Sequence, residues 1–254
     1  PDCGGELKYV GAGTQKVVEE LSALFPDTEI LRMDTDSVAP AGSHEVLLKR
    51  FREENIPIMV GTQMVTKGLN FENVTLVGVI SADQSLYSGD YRAGERTFSL
   101  ITQVVGRSGR GDKPGRAVIQ TLTPENQTIR QAAEQDYDSF YHSEIYLREM
   151  QMAPPFAELY AVTASGTDEG SVVRCCAFVR DQLRETLKNI DGLRVLGPAP
   201  LPVVRVNNRF RYRVTVSGAN GGAVRSAIAR MLIYCNTAKE FRGVSLYADL
   251  NPGD

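Results

Sequence analysis

At 254 residues the chain is long enough for two ordinary domains, and 42% hydrophobic with 23% charged residues is a globular composition that excludes wholesale disorder. A formal charge of -3 excludes a uniformly basic binder of nucleic acid but leaves room for local patches. The apolar runs break after a few residues, far short of the roughly 20 needed to cross a bilayer, so no membrane helix is expected. Four cysteines without the spacing of a disulfide framework point to a reducing compartment, with Cys175 and Cys176 as packing residues on a helix. The start at Pro1, with no initiator Met and no signal core, reads as a piece of a longer protein.

In chain order, a helical pattern follows Thr14 through Val17, Val18, Leu21, Leu24 and Phe25 and stops at Pro26. Short runs rich in Val, Ile and Leu recur at 29–33, 56–61, 75–80 and 116–121, separated by a helix after Ser43 and a third helix from about Thr97. Strands alternating with helices predict a parallel sheet, so residues 7–124 read as one α/β lobe. Residues 125–155 are acidic, 6 Asp and Glu against 2 Lys and Arg, and helical until Ala153-Pro154-Pro155 forbids more helix; they read as a connector. Beyond lie a strand (156–165), a helix (168–190), strands near 193–196 and at 209–216, a helix (222–235) and a last strand (244–250). The order β-α-β-β-α-β predicts a smaller α+β, ferredoxin-like domain over 156–254. With 13 Lys and Arg against 9 Asp and Glu, that domain is where basic patches are expected.

The strongest chemical signal is Gln103-Val104-Val105-Gly106-Arg107-Ser108-Gly109-Arg110. Gln103, Arg107 and Arg110 stand at i, i+4 and i+7, on the helix face opposite Phe98, Ile101 and Val105. Each glycine costs about 1 kcal/mol relative to Ala within a helix, so two beside the arginines suggest the close approach of something bulky. A triphosphate suits, because guanidinium groups match phosphate oxygens bidentately and stay charged at working pH. The alternative is a glycine-softened helix end with solvated arginines.

This string resembles motif VI of superfamily 2 helicases. Upstream, Gly61-Thr62-Gln63-Met64-Val65-Thr66-Lys67-Gly68-Leu69-Asn70-Phe71, with Val74 to Val77 and Ala82-Asp83, resembles motif V of the PriA family in particular. Gly13-Thr14, Arg32-Met33-Asp34, Arg92-x-x-Glu95-Arg96, Pro114-Gly115, Gln120-Thr121, Pro154-Pro155-Phe156 and Leu196-Gly197-Pro198-Ala199-Pro200 extend the resemblance almost end to end. It implies a RecA-like second motor lobe from a cytoplasmic ATP-dependent helicase. Such an enzyme unwinds DNA 3′ to 5′ with ATP and Mg2+, recognises stalled forks and assembles the primosome.

Carried onto this chain, the resemblance implies that Arg107 and Arg110 are catalytic, reaching the nucleotide, with Gln103, Gly106, Gly68 and Asn70 near the cofactor. Asn70 stands where the family carries Asp or His. Thr62 and Lys67 are expected at the DNA backbone, and Gly13-Thr14 either at a DNA phosphate or as an ordinary N-cap. Cys3, in Pro1-Asp2-Cys3-Gly4-Gly5, resembles the end of a zinc knuckle, leaving residues 1–6 as its remnant. A thiolate zinc site needs four ligands, so structural Zn2+ belongs to the intact protein and is expected absent here. His44 and His142 are expected at the surface. Neither a Gly-x-x-x-x-Gly-Lys-[Ser/Thr] loop nor an Asp-Glu-x-His box occurs in the 254 residues, so the chain alone is not expected to hydrolyse ATP.

In the last domain, strand alternation puts Arg209, Arg211 and Arg213 on one face and Phe210, Tyr212 and Val214 on the other. The arginines suit either a phosphate backbone or a solvated face. Family partners would be forked and single-stranded DNA, single-strand-binding protein and primosome proteins, with a monomeric chain. Two rival functions remain: the lobe of another superfamily 2 motor of branch-migration type, or a non-catalytic DNA-binding or primosome scaffold.

Overall fold

Short aliphatic runs form parallel strands in the first part of the chain. In the computed structural model, which describes residues 13–34, 43–62, 74–106, 115–219 and 221–253, β1 (Ile30–Met33) pairs with β2 (Ile58–Gly61) and β3 (Leu76–Val79) with β4 (Arg116–Ile119). Parallel neighbours need a crossover. Helix α2 (Ser43–Glu53) lies between β1 and β2 in the chain, α3 (Asp83–Leu86) and α4 (Ala93–Val105) lie between β3 and β4, and α1 (Thr14–Leu24) precedes them all. This is the RecA-like α/β arrangement implied by the motifs.

The chain divides into two compact units, Pro1–His142 and Ser143–Asp254. In the first, helix α5 (Gln127–Glu134) is capped by Asn126, whose side chain accepts from the Thr128 and Ile129 amides. It packs Ile129 and Ala132 against Phe98 and Ile101 of α4. Phe140, early in α6 (Tyr137–Gln151), stacks on Phe98 with centroids 4.1 Å apart. The acidic segment thus contributes its apolar side chains to the core of the α/β unit, and the division between units falls within α6. His142 is exposed, as expected. Among the described residues no helix is long and apolar enough to cross a membrane.

The second unit runs β5 (Glu158–Gly166), α7 (Glu169–Leu187), β6 (Arg194–Val206), β7 (Arg209–Gly218), α8 (Gly221–Thr237) and β8 (Val244–Leu250), with a 3-10 turn over Lys239–Phe241. Its sheet is antiparallel in the order β6-β7-β5-β8, the ferredoxin-like topology. Val162, Ala164, Val214 and Val216 face the two helices, whose Cys175, Cys176 and Cys235 are buried and free. Burial pushes the Cys176 thiol up to about 11, so it behaves as a small apolar residue. Strand β6 runs ten residues past the expected end at 196. Pro198, Pro200 and Pro202 fall within it, and β6 is an edge strand with register shifts, where missing amides cost no ladder bond. Asn207 and Asn208, at φ 48° and 61°, close the hairpin to β7. On the opposite edge, the Asn236 amide donates to the Leu246 carbonyl (2.9 Å) and accepts from its N–H (3.0 Å), covering part of β8.

Candidate functional site

Helix α4 leads into the arginine string. It begins at Ala93, earlier than expected, because Asp90 anchors a turn before it. The Ala93 amide donates to the Asp90 carbonyl (2.9 Å) and the Arg92 amide to Asp90 Oδ1 (3.0 Å). Arg96 Nη2 lies 2.6 Å from Asp90 Oδ2 in an ion pair with a nearly buried carboxylate. Arg92 donates Nε to the Tyr91 hydroxyl at 2.7 Å. The Arg92-x-x-Glu95-Arg96 string therefore secures the start of the helix.

The buried stripe of α4 is Ala93, Thr97, Phe98, Ile101 and Val104. Val105, expected inside, is half-buried in the last turn and packs against the cluster that holds Phe98 and Ile101. Glu95, Ser99 and Gln103 are exposed at i, i+4 and i+8. That places Gln103 on the solvent side of the last turn, as its spacing predicted. Gly106 is the C-cap, at φ -68°, so its backbone conformation does not require glycine. A Cβ there would stand 3.2 Å from the Thr102 carbonyl and 3.8 Å from Gln135 Oε1, which makes the position close-fitting. Arg107 and Arg110 lie outside the described residues, as do Lys67, Gly68, Asn70 and Cys3.

At the carboxyl ends of β1 and β2, Thr62 is exposed one residue past the end of β2. Open α/β sheets bind ligands at this end. Gly13 is the N-cap of α1 in extended conformation, without a side-chain cap, and a Cβ there would meet nothing within 4 Å. Thr14 is already engaged: its hydroxyl donates to Asp34 Oδ2 at 2.6 Å. Arg32 donates Nε to the same oxygen at 2.6 Å and brings Nη2 to 2.5 Å. Asp34 is buried, and its charge is balanced by Arg32 rather than left facing a phosphate.

A second cluster, not foreseen as a unit, closes the ends of β3 and β4. Buried Asp83 accepts from the Thr121 hydroxyl, the Thr123 hydroxyl and the Leu122 amide, each at 2.8 Å. Burial alone would raise the Asp83 carboxyl, but these donors outweigh it and hold the group below the ordinary carboxylate range. Ala82 N–H also donates to the Gln120 carbonyl at 3.1 Å. Ala82-Asp83 and Gln120-Thr121, separate strings in the sequence, are partners in space. Only the recurrence of an acid and two threonines just past two strands could have signalled this.

In the second unit, Arg209, Arg211 and Arg213 share one sheet face, but they are half-buried rather than solvated. Arg209 reaches across β5 to β8, donating to Ser165 Oγ (3.1 Å), the Ser165 carbonyl (2.7 Å) and Ser245 Oγ (3.2 Å). Arg211 Nη2 donates to the Val203 carbonyl of β6 at 2.7 Å. Long side chains laid over a sheet bury their stems against it, which alternation alone does not reveal. Among the described residues no group of three or more His, Cys, Asp and Glu side chains could hold a metal ion.

Two family models match the chain: the helicase conserved C-terminal domain over residues 12–112 and the primosomal protein N C-terminal domain over 148–253. The replication restart protein PriA of Bacillus subtilis is 38% identical over 99% of this chain and 31% of its own length. The proteins of the same name from Synechocystis and Chlamydia pneumoniae are 39% and 38% identical over 85% and 86% of this chain. These two are covered over 26% and 29% of their length, so the chain spans about three-tenths of the curated relatives it matches.

Proposed function

Because this chain belongs to the PriA family and corresponds to its C-terminal part, we propose that it supplies the second motor lobe and the terminal domain of an ATP-dependent helicase. The enzyme would unwind forked DNA 3′ to 5′ in replication restart. The observation that carries this is the continuous exposed stripe Glu95, Ser99, Gln103 on α4. In the sequence Arg107 and Arg110 follow it, within the segment matched by the helicase domain.

The residues present fit a nucleotide at the end of α4. Gln103 is exposed and its side chain has no hydrogen-bond partner among the described residues, Gly106 leaves the approach narrow, and Arg107 and Arg110 bring two permanent positive charges. Gly68 and Asn70 complete the cofactor side in this reading, and Thr62 and Lys67 contact the tracking strand. ATP bound with Mg2+ supplies the phosphoryl transfer that drives translocation. Cys3 would be one thiolate of a structural zinc site completed elsewhere in the intact protein. Single-strand-binding protein and primosome proteins are the proposed partners of a monomeric enzyme.

In the intact protein, a fork with a 3′ single-stranded arm should lose its labelled strand only when ATP is present, and one with a 5′ arm alone should not. Unwinding of the 5′ substrate alone would overturn the polarity and with it the assignment of the motor.

Arg209, Arg211 and Arg213 are proposed as phosphate contacts of the terminal domain. Because Arg209 and Arg211 also brace the sheet, the informative variant replaces all three by Gln, which keeps a donor and removes the charge. For this 254-residue chain, the slope of log K against log[salt] for single-stranded DNA should fall by up to about 2, at about 0.7 per lost contact. An unchanged slope in a folded variant would show that the arginines only brace the sheet.

A further inference from the structure

We propose that the open face of the β6-β7-β5-β8 sheet holds an unpaired nucleic-acid strand, with one base stacked on Tyr247 and the backbone along Arg209, Arg211 and Arg213. This rests on the phosphate-contact reading above and adds the strand class and the residue that selects it. The register fixes the layout. Thr163 of β5 pairs with Arg213 on one side and Tyr247 on the other, so these three form a row across the face turned away from α7 and α8. The next row, toward the β6–β7 turn, is Arg211, Ser165 and Ser245; the row on the other side is Thr215, Ala161 and Asp249.

The charge on this face is one-sided. The four strands hold five arginines, at 194, 205, 209, 211 and 213, of which Arg205 pairs with Phe210 on the other face, against two acids, Glu158 and Asp249. Glu158 lies on the helix side, where Arg225 Nη1 pairs with it at 2.9 Å and Tyr160 donates its hydroxyl at 2.6 Å. Asp249 sits one row beyond Tyr247, away from Arg209 and Arg211. Among the described residues those two guanidiniums meet only neutral oxygens of Ser165, Ser245 and Val203, so their charge is oriented there but not cancelled. An array fixed in this way fits a polyanion whose charges repeat along a line.

Tyr247 decides which polyanion. Tyr247 is 42% exposed, and no ring or hydrogen-bond partner engages it among the described residues. It is the one aromatic residue among the described strand residues of this face, which also carries Leu159, Leu196 and Asp249. An aromatic platform flanked by arginine offers stacking to a base, and a base within a duplex is already stacked on its neighbours. Beneath the row, Thr163 is 1% exposed and its hydroxyl has no partner, so the floor between Arg213 and Tyr247 keeps an unsatisfied polar atom.

The test uses the 254-residue chain with a fluorescein-labelled oligothymidylate and a hairpin duplex of matched length, read by anisotropy at one salt concentration. Tyr247→Leu, which keeps apolar bulk but not the ring, should weaken oligothymidylate binding by on the order of 10-fold. Tyr247→Phe should bind like the parent, and duplex affinity should be the same in all three proteins. With 5-iodo-deoxyuridine in the strand, photo-cross-linking should place the adduct on Tyr247. Equal binding by the Leu variant, or adducts confined to residues outside the sheet, would overturn the proposal. If the three-Gln variant loses its salt slope while Tyr247→Leu binds normally, the phosphate reading stands and the stacking proposal fails. If neither changes, both fail.

Discussion

In the intact protein, Arg107→Ala or Arg110→Ala is expected to cut ATP turnover by roughly 10³-fold while fork binding is largely kept. The reason is the geometry of the helix leading to them. The buried stripe Phe98, Ile101 and Val104 fixes which side of α4 faces the core, and Gln103 opposite it is exposed. In the proposed reading the arginines four and seven positions after Gln103 in the sequence meet charge developing on a transferring phosphoryl group. A permanently charged planar cation placed there acts on the transition state more than on the bound ground state, so turnover falls and affinity for the fork does not. Steady-state hydrolysis stimulated by forked DNA, with binding measured on the same samples, tests this. Turnover at the parent rate in both variants would remove the arginines from the site and leave Gln103 with no nucleotide to contact.

The largest expected effect on stability is at Gly197. Its φ of +115° is accessible to glycine, and a Cβ there would lie 2.7 Å from the Arg213 carbonyl oxygen and 3.1 Å from Val214 Cα. Both neighbours are backbone of the central strand β7, held in register by β5, so neither can retreat. Backbone strain and overlap together should cost the second unit about 3 kcal/mol or more in Gly197→Ala. Gly192, at φ +75° with nothing within 4 Å of a Cβ, is the control. Gly192→Ala carries strain without a clash and should cost about 1 kcal/mol. With no Trp in the chain, thermal unfolding by circular dichroism is the practical measurement. At about 4–8 °C per kcal/mol for a domain near 100 residues, the two variants should be separated by roughly 10 °C. Equal midpoints would mean that β6 does not press on β7 at the glycine.

Much of this fold was legible in the sequence because its signals are local. Aliphatic runs at strand length separated by helical patterns specified the parallel pairs, and two-residue alternation over 209–216 placed the arginines of β7 on one face. The spacing of Gln103 from Phe98 and Ile101 sufficed to put it on the exposed side of α4, since helix geometry converts sequence separation directly into angle. The β-α-β-β-α-β order likewise led to the four-strand topology, because short connections leave few ways to pair the strands.

Tertiary structure decided which polar groups are free and which are committed, since that depends on residues far apart in the chain. Gly13-Thr14 read as a DNA phosphate site through the helix amides or as an ordinary N-cap, and the Thr14 hydroxyl is given to Asp34, twenty positions on. The arginines of β7 read as solvated or phosphate-binding, and two of them prove to brace β5, β6 and β8 while keeping a charge uncancelled among the described residues. Asp83 joined Thr121 and Thr123 only when β3 and β4 came side by side. The length of β6 also lay beyond local reading. Three prolines forbid a central strand and permit an edge strand, and which of these a segment becomes is set by the neighbours it packs against. Sequence determines the face on which a side chain stands; the fold determines what it meets there.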